Sequence, residues 1–225
     1  MKRVSGVLRE LLLGMNPNMQ DLYLLFDFDG VIGNTWDVFL EALIHNDEFK
    51  TKEEAVAAVN TYFANKPNHS KAHSLSKEEL HKMSQQRIAT GTFINENGFE
   101  LFDDFVKEIE KFETKHKAIV STGSLVYLEP ALARTNIRPT HILGFEDHHS
   151  KEEKINQICN DWKCNIEDVY YFTDSLADVL ELKDHIAKDK LIGVSWGFCS
   201  KEQLLSELAE ECILDTAADM SEVLP

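Results

Sequence analysis

At 225 residues the chain can bury one sizeable core, or a core with a small second module. Its 43% hydrophobic and 28% charged residues match the balance of a water-soluble globular protein. A net charge of −16 repels phosphate backbones and excludes nucleic acid as a main partner. A small phosphorylated metabolite stays open as a partner, because a metal and a few cations can reverse the field inside one pocket.

In chain order, Val4, Val7, Leu8, Leu11 and Leu12 fall at helical spacing and predict a docking helix. Arg9 and Glu10 break the apolar stretch and argue against a signal peptide. No apolar run reaches the length of a membrane span, so no membrane partner is expected. Leu22 to Val31 reads LYLLFDFDGV, an apolar strand ending in two carboxylates and a glycine. Asp27 and Asp29 stand at i and i+2 and so share one side of the strand end. A buried carboxylate needs a partner, and two of them facing one way suggest a divalent metal and acid–base chemistry.

From Asn34 to about Thr92 no strand is evident. Thr51 with Glu54 and Ser76 with Glu79 have capping-box spacing, and Lys66-Pro67-Asn68 separates the helices they start. This predicts a helical insert above the site, giving a core of residues 1–33 and 93–225 and an insert of 34–92. A helix over Phe99–Thr114 is expected to return the chain to the sheet.

Further strands are predicted at Lys117–Ser121, His141–Leu143, Val169–Thr173 and Leu191–Ser195, and weakly at Cys212–Leu214. Helical stretches such as Ile155–Trp162 and Lys201–Glu210 alternate with them. The fold class is therefore α/β, a Rossmann-like parallel sheet flanked by helices, with ligands beyond the carboxyl ends of the strands. The four cysteines form no dense framework and read as reduced thiols of a cytoplasmic protein.

The polar residues that end these strands should converge. They are Asp27 and Asp29, then Ser121-Thr122-Gly123-Ser124 at a helix start, Lys151 opening the next helix, and Asp174 with Asp178. Hydroxyl and backbone N–H groups at a helix N-terminus suit an anion. Carboxylates, a hydroxyl and a lysine together make a cation-and-phosphate site.

The order of these pieces resembles the haloacid dehalogenase-like hydrolase superfamily, in its phosphatase branch and near the phosphoglycolate phosphatases. The matching motifs are Asp27-Phe28-Asp29-Gly30-Val31, Ser121, Lys151, and Asp174 with Asp178, and Gly193–Phe198 resembles a segment common after the last motif. The resemblance implies that the insert is a C1 cap. It implies an Asp27 nucleophile, Asp29 as acid and then base, and Ser121 and Lys151 on the phosphoryl oxygens. Mg²⁺ would be held by Asp27, the Asp29 carbonyl and Asp174, with Asp178 either ligating through water or orienting Lys151. Gly123 would offer a backbone N–H to phosphate.

Thr122 rivals Ser121 and Lys154 rivals Lys151, each within the same turn. The chain departs from the family pattern at Thr173, where glycine is usual, and at Asn34, where many relatives carry aspartate. An aspartate at position 29 separates phosphatases from the dehalogenases and phosphonoacetaldehyde hydrolases of the superfamily. The expected activity is Mg²⁺-dependent hydrolysis of a small phosphomonoester such as phosphoglycolate, a sugar phosphate or a nucleotide. A phosphomutase of the same superfamily and a non-catalytic binding protein are the alternatives. His69 with His73 has metal-ligand spacing but no third ligand nearby, and reads as a solvated segment. Lys66, Lys71 and Arg87 are candidate readers of a substrate anion, and Trp36 and Phe39 read as packing. Nothing in the sequence sets an oligomeric state.

Overall fold

The computed structural model describes residues 22–67 and 76–225. The expected N-terminal docking helix, His69, Lys71 and His73 lie outside these residues.

The strands form where apolar runs have both faces to bury. They are β1 (Tyr23–Phe26), β2 (Gly33–Asn34), β3 (Glu100–Leu101), β4 (His116–Val120), β5 (His141–Leu143), β6 (Val169–Thr173), β7 (Leu191–Val194) and β8 (Ile213–Leu214). Six of them make one sheet in the order β5-β4-β1-β6-β7-β8, and every pairing in it is parallel. Alternate side chains supply two cores. Leu24, Phe26, Ile119, Phe172 and Ile192 pack on one face, and Leu25, Ala118, Val120, Val169 and Tyr171 on the other. The chain runs outward from β1 through β4 to β5, then crosses to β6 and runs outward on the other side. β1 is thus the topological switch point, and a ligand site is expected beyond its carboxyl end.

β2 and β3 pair antiparallel, with Gly33 opposite Leu101 and Asn34 opposite Glu100. Between them the chain forms α1 (Trp36–His45), α2 (Lys52–Phe63) and α3 (Lys77–Asn97). Leu40, Leu43, Ala55 and Val59 give α1 and α2 a small core of their own. Ser76 and Glu79 make the expected capping box at α3. At α2 Thr51 caps Glu54, but the Glu54 carboxylate turns to the Lys50 N–H instead. The core boundary expected at residue 93 falls inside α3, which continues to Asn97 before Gly98 ends it with φ of 73°. Asn34 proves to be an exposed strand residue on the path into the insert.

The remaining helices are α4 (Asp103–Lys111), α5 (Leu125–Leu132), α6 (Lys151–Trp162), α7 (Leu176–Leu182), α8 (Lys201–Leu204) and α9 (Met220–Val223). The helix expected over Phe99–Thr114 is shorter, because β3 takes its first residues. The one expected over Lys201–Glu210 is helical only to Leu204. All four cysteines are free. Among the described residues no helix is long and apolar enough to cross a membrane.

Candidate active site

β1 carries its last hydrogen bond one residue past its end, where the Asp27 N–H donates to the Phe172 carbonyl at 2.9 Å. The backbone then folds tightly on itself. The N–H groups of Val31, Ile32 and Gly33 all converge on the Phe28 carbonyl, and the Gly30 N–H reaches the Gly33 carbonyl. Gly30 takes φ of 74°, and a Cβ there would lie 1.9 Å from Asp174 Oδ2. Both the turn and the neighbouring carboxylate therefore need glycine. Phe28, fully buried between the two aspartates, anchors the loop against Phe99 and Tyr127.

Asp27 is buried, with Oδ1 accepting from the Phe28 N–H at 2.7 Å and Oδ2 lying 2.8 Å from Lys151 Nζ. Burial drives its carboxyl well above the usual range, and the Lys151 charge opposes that shift. Asp29 is held by three hydroxyls. Thr35 donates to Oδ1 at 2.7 Å, while Tyr127 at 2.6 Å and Ser121 at 3.2 Å donate to Oδ2. Burial raises the Asp29 carboxyl, and these three hydrogen bonds restrain the rise.

Lys151 is almost wholly buried and donates to the Tyr171 hydroxyl at 2.7 Å and to Asp178 Oδ2 at 2.9 Å, besides pairing with Asp27. Burial pulls its pKa down, but Asp178 and Asp27 more than offset this and push it above the ordinary lysine value. Asp178 Oδ2 also accepts from the Tyr171 hydroxyl at 2.8 Å and from Thr173 Oγ1 at 3.0 Å. The bonds shown for Asp178, expected among the metal ligands, thus run to protein donors around Lys151. Thr173, the departure from the family pattern, is fully buried and does not crowd the turn. Its hydroxyl serves Asp178 and accepts the Ser175 N–H at 3.0 Å.

Lys154, the rival of Lys151, is also fully buried, and its Nζ donates to the Ser121 carbonyl at 2.5 Å. Burial and then the charge of Lys151 bring its pKa down to about 7. Only Lys151 meets Asp27. Lys154 instead braces the strand end that presents Ser121.

Ser121 Oγ, besides reaching Asp29, accepts the Gly123 N–H at 2.9 Å. That N–H, expected to face phosphate, is engaged within the loop. Thr122 contributes its carbonyl, which accepts from Arg87 Nη1 at 2.9 Å. A Cβ on Gly123 would lie 1.8 Å from the Tyr127 hydroxyl, so glycine is what admits Tyr127 to Asp29. The α5 N-terminus is also filled. Glu146 accepts from Ser124 Oγ at 2.6 Å and from the Leu125 N–H at 3.0 Å.

Asp174 is fully buried. Its Oδ2 accepts from the Phe198 N–H, and its Oδ1 has no hydrogen-bond partner among the described residues. Gly197 is needed here, since a Cβ on it would lie 2.2 Å from Asp174 Cβ. Burial raises the Asp174 pKa to about 7, with the charge of Asp178 adding to the rise. A fully buried carboxylate with one oxygen unpartnered has the chemistry of a cation ligand. Among the described residues no group of three His, Cys, Asp or Glu side chains forms a ready cage. Two carboxylates with a backbone carbonyl suit Mg²⁺, which keeps several of its own waters. The residues present fit that ion.

Comparison with known proteins is consistent with this geometry. Residues 24–184, well over half of the chain, match the haloacid dehalogenase-like hydrolase family. The chain belongs to that family. Among solved structures it is similar to a predicted phosphoglycolate phosphatase from Haemophilus somnus, with TM-score 0.65 and 15% identity over 91% of this chain and 99% of that one. A predicted phosphatase from Clostridium acetobutylicum gives 0.63 and 16%, covering 89% and 96%. CbbY from Rhodobacter sphaeroides, solved in complex with phosphate, gives 0.62 and 16% over the same shares. At these identities the likeness carries the fold alone. No curated protein matches the chain. As a family member, this haloacid dehalogenase-like hydrolase has its motif residues gathered at the carboxyl ends of β1, β4 and β6 and the start of α6.

Tyr127 and Tyr171 join the site without having been picked out from the sequence, while Gly197 and Phe198 belong to the Gly193–Phe198 segment that the resemblance marked. A cavity of about 340 Å³ opens above it, floored by Asp27, Asp29 and Thr122-Gly123 and roofed by α1, α2 and α3. Arg87 and Phe39 line it, while Trp36 packs edge-on against Phe198. His149 lines a smaller crevice that also reaches Asp27.

Proposed function

We propose that this hydrolase cleaves small phosphomonoesters through a phosphoryl-aspartate, with Mg²⁺ as cofactor and α1–α3 as its cap. The observation that carries the reading is the paired environment of Asp27 and Asp29. Burial raises both carboxyls, but one is ion-paired to a buried lysine and the other, two residues on, is held by three hydroxyls. That is a nucleophile beside a proton carrier.

In the first step an Asp27 oxygen bonds to phosphorus, the bond from phosphorus to the ester oxygen breaks, and Asp29 gives its proton to that leaving oxygen. In the second, Asp29 takes a proton from water, the water oxygen bonds to phosphorus, and Asp27 is released as a carboxylate. Lys151 and Ser121 face the phosphoryl oxygens, where a preorganised donor is worth about 10²–10³ in rate. Asp178, backed by Tyr171 and Thr173, positions Lys151 rather than touching substrate. Asp27, Asp174 and the Asp29 carbonyl would hold Mg²⁺, which would supply positive charge to neutralise the phosphoryl group. The helices above exclude bulk water while the ester is attacked.

The test is phosphate release from a chromogenic phosphomonoester. The expected result is turnover that requires Mg²⁺ and falls by about 10⁴-fold or more in Asp27→Asn. Equal turnover in that variant would overturn the reading.

A further inference from the structure

The roof of the cavity is not built for a polar metabolite. Phe39 and Phe49, Val59 and Phe63, and Ile94 and Phe198 all line it. Phe63 and Phe198 stand edge-to-face at 5.3 Å, and Trp36 backs Phe198 at 4.9 Å. Rings so arranged present faces and edges to a further ring.

Of the charged side chains lining the upper part of the cavity, Arg87 and Glu48 each have a protein partner, and Tyr62, Gln86 and Thr122 add neutral polar groups. Arg87, among the described residues the one cation there, donates to the Thr122 carbonyl and lies 5.8 Å from the centre of the Phe145 ring. Glu48 sits at the edge and accepts from Thr90, which in turn accepts from Asn46. A second carboxylate in the leaving group would find a single arginine, already bonded through Nη1 to the Thr122 carbonyl, and a polyol would set hydroxyls against phenyl rings. The size admits a further ring. A dry cavity of about 150 Å³ holds benzene, so about 340 Å³ holds one ring on a short linker with the phosphoryl group at Asp27.

We infer that the cavity selects a phosphomonoester whose leaving group is compact, apolar and aromatic, an arylalkyl phosphate rather than a phosphorylated polyol or hydroxy acid. This rests on the phosphatase reading above and specifies its substrate. Discrimination comes from buried apolar contact, where a single methylene already counts about tenfold.

The test compares kcat/KM for 2-phenylethyl phosphate, glycerol 1-phosphate and phosphoglycolate, all alkyl esters, with Mg²⁺ present. In parallel, calorimetry compares binding of 2-phenylethylphosphonate and methylphosphonate, which cannot be hydrolysed. The expected result is at least a tenfold preference for the aromatic compound in both arms, narrowed by Phe49→Ser. Turnover with glycerol phosphate or phosphoglycolate equal to or above the aromatic ester overturns the inference and leaves the phosphatase reading standing. Preferential binding of the aromatic phosphonate with no release from any ester defeats the phosphatase reading while the cavity's preference stands. Equal binding of the two phosphonates without any release defeats both.

Discussion

Asp29 must hold a proton when the ester breaks and take one when water attacks, and its three hydroxyl partners set how readily it does either. The Tyr127 bond, at 2.6 Å, is the shortest and the largest of the restraints on its upward shift. Tyr127→Phe is therefore expected to raise the Asp29 pKa further. The high-pH fall in kcat/KM should move to higher pH, with a rate loss of about tenfold, the worth of one hydrogen bond to a charged group. A limb that stays put or moves lower would contradict this. Asp174 gives a second prediction at this scale. In the metal-free fold its pKa is raised to about 7, so the folded state holds a proton that the unfolded chain releases at lower pH. That contribution to stability is complete below the ordinary carboxylate range and is lost as pH rises through about 7. Added Mg²⁺ should then raise the melting temperature more at pH 8 than at pH 5. An equal rise at both, measured by calorimetry, would count against Asp174 as a ligand. The convergence of Asp27, Asp29, Ser121, Lys151 and Asp174 was legible because each lies at, or in the loop after, the end of a predicted strand. Tyr127 and Tyr171 were not, since a tyrosine inside a helix or strand looks like packing until its hydroxyl is seen on a carboxylate.

Among the elements, α3 bears most directly on the site. Gly91 faces α5 so closely that a Cβ would come within 2.6 Å of Ser124 Cβ, and one turn earlier Arg87 bonds Thr122. The helix rests on the loop that holds Ser121 and Gly123. Gly91→Val should lift α3 from that loop and lower kcat/KM by about 10–100-fold while circular dichroism stays native, because small misplacements are costly in catalysis. Unchanged kinetics would show that α3 does not set the geometry below it. The sheet strands were readable to within about two residues, since continuous apolar runs have few other uses in a parallel sheet. The limits of the insert were less so. Gly98 is the stop signal for α3, but the β2–β3 pair it leads to is only two residues long and leaves no strand pattern to read.

At the scale of the whole molecule, β1 lies between β4 and β6, and that single placement brings residues from positions 27 to 178 into one cluster. Alternating strands and helices predict a parallel sheet, but the order β5-β4-β1-β6-β7-β8 depends on non-local pairing that no local pattern encodes. The cavity was equally out of reach, being made by three helices meeting the strand ends. The proposed chemistry turns on Asp27 carrying the phosphoryl group. Quenching the enzyme with acid during turnover of an arylalkyl phosphate, reducing with borohydride and sequencing by mass spectrometry tests it at the residue. An aspartyl phosphate is predicted to appear as homoserine at position 27, and to vanish when Mg²⁺ is removed. Phosphate release with aspartate unaltered at that position, or with the label on another residue, would contradict it.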